Sequence, residues 1–260
     1  MTATQTSTAQ ITIKSIGLHR VRVPLVEPFR ISNGVVAEKE AILVEVRTDE
    51  GVVGWGEASP MPGSFYSVET PDSVWEALSA DLIPEALRAG AVDVTHFYEQ
   101  MRLFPANAFA KAGLEGALWD AHAQTLQVPL YQLLGGRPRP VPSGVAIGIY
   151  DQVAVLLERV ERYIAEGYQR VKIKIEPGRD VEQVAAVRAR FGDVPLMVDA
   201  NGAYTIADVA VFLELDTYNL MMIEQPFARE AHAEAAELQR QLRTPLCADE
   251  SAESMEALAS

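Results

Sequence analysis

Cysteine is nearly absent from this 260-residue chain, with Cys247 standing alone. A lone thiol has nothing to pair with inside the chain, which excludes a disulfide framework and any zinc site built from several cysteines. Basic residues are outnumbered, 22 against 36 acidic side chains for a formal net charge of −14, and they are scattered rather than clustered. A surface this acidic repels phosphate backbones and anionic lipid, so neither nucleic acid nor a membrane is expected as a partner. No stretch approaches the ~18 apolar residues that span a bilayer, and the opening MTATQTSTAQ has no basic cluster leading into an apolar run, so a cytoplasmic location is expected. A glycine-rich loop opening a helix is also missing, which leaves nucleotide binding without a motif.

What is present is a globular composition, 48 % apolar, arranged in two halves. Residues 1–10 are polar and aperiodic and read as a frayed tail. From residue 11, ITIKSIGLHRVRVPL alternates, and AILVEVRTDEGVVGWGEA reads as two strands around Asp49-Glu50-Gly51, with Gly54 and Gly56 at the exit. The spacing of apolar residues predicts helices over 74–89 and 107–125, so residues 11–135 have the strands-then-helices pattern of an α+β domain.

Past Gly135-Gly136 and the proline-rich stretch 138–142, short apolar strands alternate with amphipathic helices. VPSGVAIG, RVKIKI, PLMVDAN, LMMIEQP and PLCADES read as five strands of a parallel sheet covered by helices, giving an α/β fold over 136–260. A closed eight-stranded barrel needs about 200 residues at roughly 25 per unit. Residues 141–260 offer 120, so the expectation is an incomplete (β/α) barrel of about five strands and a sequence that is the front part of a longer protein. An open five-stranded sheet is the alternative, with an apolar last edge that invites aggregation.

Four strand ends carry ionisable residues at one interval: Lys174, Asp199, Glu224 and Asp249 are each 25 residues apart. A constant offset places them at one height on successive strands, at the C-terminal end where this architecture builds active sites. Three carboxylates brought together repel one another and need a cation. Carboxylate oxygens suit a hard ion, Mg²⁺ or alternatively Mn²⁺, which makes Asp199, Glu224 and Asp249 candidate metal ligands. Asn201 and Glu250 adjoin them and can hydrogen-bond behind the ligands.

Lys172 and Lys174 share one face of their strand, while Val171, Ile173 and Ile175 take the other and pack under helices. Burial and a neighbouring ammonium both lower a lysine's pKa, so Lys174 is expected to act as a general base with Lys172 tuning it or contacting a substrate carboxylate. Cys247, two residues before Asp249, is expected to fill the barrel interior rather than act as a nucleophile. The four histidines, His19, His96, His122 and His232, show no ligand spacing.

With V-K-I-K-I, V-D-A-N, I-E-Q-P and A-D-E-S in this order, the sequence resembles the enolase superfamily, specifically its muconate-lactonizing-enzyme subgroup. GWGEASP at 54–60 and AKAGLEGALWDAHAQ at 110–124 are similar to that superfamily's capping domain and its junction with the barrel. PLVEPFRISNG, MPGSFYS, IKIEPGRDVEQVAAVRARFGD and MIEQPF most resemble o-succinylbenzoate synthases that also racemise N-succinylamino acids.

The resemblance implies Mg²⁺ on Asp199, Glu224 and Asp249, a small carboxylate substrate, and removal of its α-proton by Lys174 to give an enediolate. It implies dehydration to o-succinylbenzoate or racemisation of N-acylamino acids, with dipeptide epimerisation, muconate cycloisomerisation or a non-catalytic truncated scaffold as alternatives. It places an opposing lysine on the next strand, beyond Ser260, and a homo-oligomer for the full-length protein. It assigns substrate choice to two capping loops, 28–34 and 60–66, with Phe29, Met61 and Tyr66 as apolar candidates. Asn33 and Ala146 depart from the family pattern, which has an aromatic in the first loop and a serine on the first barrel strand.

Overall fold

The computed structural model describes residues 10–63, 67–101, 104, 106–254 and 257. They form two compact units, one of Met1–Pro24 with Glu38–Arg139 and one of Leu25–Ala37 with Pro140–Ser260. Among the described residues, no helix is long and apolar enough to cross a membrane.

The first unit is built on a four-stranded sheet ordered β3-β2-β1-β4, from β1 (Ile11–Ile31), β2 (Gly34–Thr48), β3 (Val53–Ala58) and β4 (Ala91–Val92). In β2 the side chains of Ile42, Val44 and Val46 alternate into the core and are fully buried against Leu78, Leu114 and Leu118. Burying each such side chain contributes roughly 1.5–3 kcal/mol.

The predicted helix over 74–89 begins earlier and is interrupted. α1 (Pro71–Glu76) starts in a capping box between Thr70 and Ser73, a π-helical turn occupies Ala77–Leu82, and α2 (Ile83–Ala89) completes the run. Pro84 supplies the physical reason. It has no N–H for the residue-80 carbonyl and its ring crowds that carbonyl, so the ladder widens and Ile83 N–H reaches back to Leu78 O. Beyond α3 (Val94–Met101), α4 (Ala108–Thr125) follows the predicted span closely.

Gly54 and Gly56 do not mark a strand exit; they lie within β3, under α4. A Cβ on Gly54 would stand 2.3 Å from Ala117 O, and one on Gly56 would stand 2.0 Å from Gly113 O. Helix backbone therefore rests directly on strand backbone, which explains both the G-W-G spacing and the small residues Gly113, Ala117 and Ala121 on the facing side of α4.

The second unit has a parallel sheet in sequential order, β5 (Gly144–Ile147), β6 (Arg170–Lys174), β7 (Leu196–Asp199), β8 (Ile223–Glu224) and β9 (Leu246–Cys247). The helices α6 (Val153–Ala165), α7 (Val181–Phe191), α8 (Val209–Leu215) and α9 (His232–Gln239) fall between the strands, after the short α5 (Leu130–Leu133). This is the α/β architecture expected from the alternating pattern, with five strands and no closed ring among the described residues. Val171, Ile173 and Ile175 are fully buried in one cluster with Leu156, Val160, Val184 and Val187 of α6 and α7.

The sequence places 11–135 in one domain, but Leu25–Ala37 belongs to the second unit. Arg30 pairs with Asp151 at 2.8 Å and Glu176 at 3.0 Å, Ile149 N–H donates to Arg30 O at 2.9 Å, and Glu27 accepts from Tyr150 at 3.0 Å and Arg159 at 2.6 Å. These partners lie more than a hundred residues away, beyond the reach of a pattern argument.

The entry to β9 is held by Asp216, whose carboxylate accepts the N–H groups of Arg243 at 3.1 Å and Thr244 at 2.7 Å. Burial works against its ionisation, yet the donors of Thr244 and Arg243 outweigh it and hold the carboxyl at about 2. A depressed carboxyl stabilises the fold above its unfolded value of about 4, and that contribution is lost as pH falls through the folded value. Asp216→Ala is expected to cost about 2 kcal/mol near neutral pH and to remove a loss of stability between about pH 4 and pH 2, read from thermal melts across pH. Gly56→Ala is expected to destabilise by about 3 kcal/mol in chemical denaturation, since backbone on both sides blocks relief of the clash.

Candidate active site

Strand register brings the ionisable residues together. Lys174 pairs with Asp199 and Asp199 with Glu224, one row across β6, β7 and β8. The equal spacing predicts Asp249 as the next member, but Glu224 pairs with Cys247. The last repeat is two residues shorter, so Asp249 lies past the end of β9, at the start of the 3₁₀ turn Glu250–Ala252. Two residues preserve the face in a period-2 strand, and the carboxylate still arrives. One oxygen each from Asp199, Glu224 and Asp249 lies within 4.8 Å of the others.

Gln225 anchors that turn and went unremarked in the sequence. Its side-chain oxygen accepts from Asp249 N at 3.0 Å and Ser251 N at 3.1 Å, and its nitrogen donates to Phe227 O at 2.9 Å and Ser251 Oγ at 2.7 Å. Its φ of 41° places it in the left-handed region, as does the 44° of Asn201, and such strain persists only where surroundings fix it. The signal was the Q of I-E-Q-P, a polar residue with no role in the metal argument.

The two lysines meet the acids from β6. Lys172 Nζ stands 2.7 Å from Glu224 Oε1 and 3.0 Å from Asp199 Oδ2. Lys174 Nζ stands 2.5 Å from Asp199 Oδ2 and 2.8 Å from Asn201 Oδ1. Asn201 also donates to Glu250 Oε1 at 3.0 Å.

Desolvation pushes the Asp199 carboxyl up, but Lys174 and then Lys172 outweigh it, and the group is held below the usual carboxylate range. Desolvation raises Glu224, and Asp199 adds to the rise, with Lys172 offsetting only part. Burial opposes the charge of Lys172, yet the Glu224 hydrogen bond and the Asp199 field outweigh it and its pKa is raised.

A hard cation fits this donor set. Adjacent oxygens on one octahedral Mg²⁺ stand about 3 Å apart, given bonds of about 2.1 Å. Oxygens that lie within 4.8 Å of one another reach that spacing by side-chain rotation of up to about 2 Å. Glu250 Oε2 is buried with no hydrogen-bond partner, and burial raises its carboxyl, so it sits behind the trio as a further acceptor.

On the lysine side a cavity of about 360 Å³ is lined by Ala146, Lys172, Met197, Met222, Glu224 and Cys247, among others. Burial and the carboxylates of Glu224 and Asp249 push the Cys247 thiol up, which makes it a poor nucleophile. Phe29 is half-buried beside Gly148 in the second unit, and Met61 is half-buried in the first. Tyr66 lies outside the described residues. His19 pairs with Glu45 at 2.9 Å and His96 with Asp93 at 2.8 Å.

Comparison with known proteins identifies relatives of the chain. Residues 14–135 match the family model described as the mandelate racemase / muconate lactonizing enzyme N-terminal domain, and residues 155–260 match the enolase C-terminal domain-like model. The chain is 46 % identical over 244 residues to an o-succinylbenzoate synthase of Geobacillus stearothermophilus, covering 93 % of this chain and 64 % of that protein. It is 42 % identical to an N-succinylamino acid racemase of Amycolatopsis sp, covering 95 % and 67 %. It also resembles the crystal structure of a dipeptide epimerase from Enterococcus faecalis complexed with Mg and the dipeptide L-Leu-L-Tyr, with a TM-score of 0.86, 30 % identity and coverage of 95 % and 70 %. The chain thus spans about two thirds of the length of these relatives, and it belongs to the enolase superfamily.

Proposed function

We propose that these residues serve an enzyme that removes the proton α to a carboxylate of a small substrate, with dehydration to o-succinylbenzoate as the leading reaction and racemisation of N-acylamino acids beside it. The observation that carries the reading is the cluster of Asp199, Glu224 and Asp249 with two lysine amines in hydrogen-bond contact with it. The names of the similar proteins, synthase and racemase, support this pair of reactions over others of the superfamily.

Asp199, Glu224 and Asp249 would hold Mg²⁺, with Mn²⁺ the alternative, and when bound the ion would offset the negative charge that builds on the substrate carboxylate as its α-carbon loses a proton. Lys174 takes that proton on Nζ. Its amine is held by Asn201 Oδ1 and Asp199 Oδ2. Asp199 and Glu224 cannot serve the ammonium groups and a divalent ion equally, so loading loosens their hold on the amines. Lys172 stays beside Glu224 and the cavity, placed to attract the carboxylate of the substrate.

Calorimetric titration of Mg²⁺ is expected to show a binding event that Asp199→Ala abolishes, and an unchanged isotherm in the variant overturns the reading. Exchange of the substrate α-hydrogen with D₂O, followed by NMR, is expected to fall about 10²–10⁴-fold in Lys174→Ala. Exchange at the parent rate would remove Lys174 from the role of base.

A further inference from the structure

Each hydrogen-bonding atom of Asn201 has a partner, and one partner comes from the far end of the sequence. The backbone N–H donates to Asp199 Oδ1 at 3.1 Å, the side-chain oxygen accepts from Lys174 at 2.8 Å, and the side-chain nitrogen donates to Glu250 at 3.0 Å. The carbonyl accepts from Asn33 Nδ2 at 2.7 Å. One residue along, Ser32 Oγ donates to Ala200 O at 3.1 Å. Two consecutive residues of the turn between β1 and β2 therefore seat on the two consecutive carbonyls that follow Asp199.

Asn201 is 3 % exposed and its backbone is left-handed, a conformation that costs energy in a residue with a side chain. It stays there because all four contacts constrain it. Of the other anchors of the Leu25–Ala37 segment, Ser32 reaches the preceding carbonyl, Ala200 O, while Glu27 on Tyr150 and Arg159 and Arg30 on Asp151 and Glu176 do not touch Asn201. Asn33 is thus the point at which this segment acts on the amine.

The geometry points to Asn33 as a positioning residue: its amide fixes the Asn201 peptide, and through the Asn201 side chain it sets where the Lys174 amine stands. The inference deepens the proposed function and rests on Lys174 as its base. Without the Asn33 donor, the Asn201 carbonyl loses its partner, the strained peptide relaxes, and the carboxamide swings away from Lys174. Linkage makes the effect mutual, so whatever fixes Asn201 also holds the turn in place.

The test uses the whole 260-residue chain without metal or substrate, comparing Asn33→Ala, the isosteric Asn33→Asp and the control Glu27→Gln. Two readouts are taken: hydrogen exchange of the Asn201 and Gly202 amides, and acylation of Lys174 by an N-hydroxysuccinimide ester relative to the exposed Lys14, mapped by mass spectrometry. Both Asn33 variants are expected to speed each readout about 5-fold, the equivalent of one lost hydrogen bond of about 1 kcal/mol, with Glu27→Gln unchanged. Wild-type rates in both Asn33 variants, or equal changes in Glu27→Gln, overturn the inference. Should Asn33→Ala fail to fold, Asn33→Asp carries the test, because it keeps the side-chain shape and sets a carboxylate against the carbonyl. Since both readouts are free of metal, a failed Mg²⁺ titration would sink the proposed function and leave this result standing.

Discussion

Three carboxylates share a small volume at the ends of β7, β8 and β9, and the second unit depends on what offsets their repulsion. Two like charges about 4 Å apart repel by about 4 kcal/mol at an effective dielectric of 20. Lys172 bridges Asp199 and Glu224, and Lys174 also meets Asp199, so both of these acids have an ammonium at hand. The sheet makes this affordable in conformational terms: backbone pairing fixes the Cα positions of Lys174, Asp199 and Glu224 before any side chain is ordered. The acids are then placed by main-chain geometry and only tuned by their counter-charges, an arrangement suited to exchanging an internal cation for an external one.

Much of this was legible because it follows from short periods. Alternation along β6 assigned Val171, Ile173 and Ile175 to the helices and the lysines to the opposite face, and strand-helix alternation gave the parallel sheet. What escaped was set by backbone detail. Pro84 turns a predicted continuous helix into one with a π turn, and Gly54 and Gly56 are read as marking a strand exit until α4 is seen lying on them. Even the regular spacing of the acids was right for a subtler reason than equal height, since Asp249 overshoots the row and is returned to it by the turn that Gln225 pins.

Contacts over long sequence separations stayed hidden altogether. Ser32 and Asn33 meet β7 across 168 residues, and nothing in the local pattern of S-N-G announces a partner. The raised pKa of Lys172 has a related origin: the residues that outweigh its burial, Glu224 and Asp199, come from other strands. Charge effects at such a site are a property of the assembled sheet, and a single strand cannot foretell them.

Because Leu25–Ala37 lies in one unit while the residues on either side of it lie in the other, the second unit is discontinuous along the chain. A ribosome releases that segment more than a hundred residues before the sheet it packs on exists. Closing so long a loop carries an entropic toll that rises only slowly with length, yet the closure must wait for its docking surface. Neither unit can be excised by cutting the gene at a single point, and a fragment beginning at Pro140 would carry the acids and lysines without the turn that seats upon them.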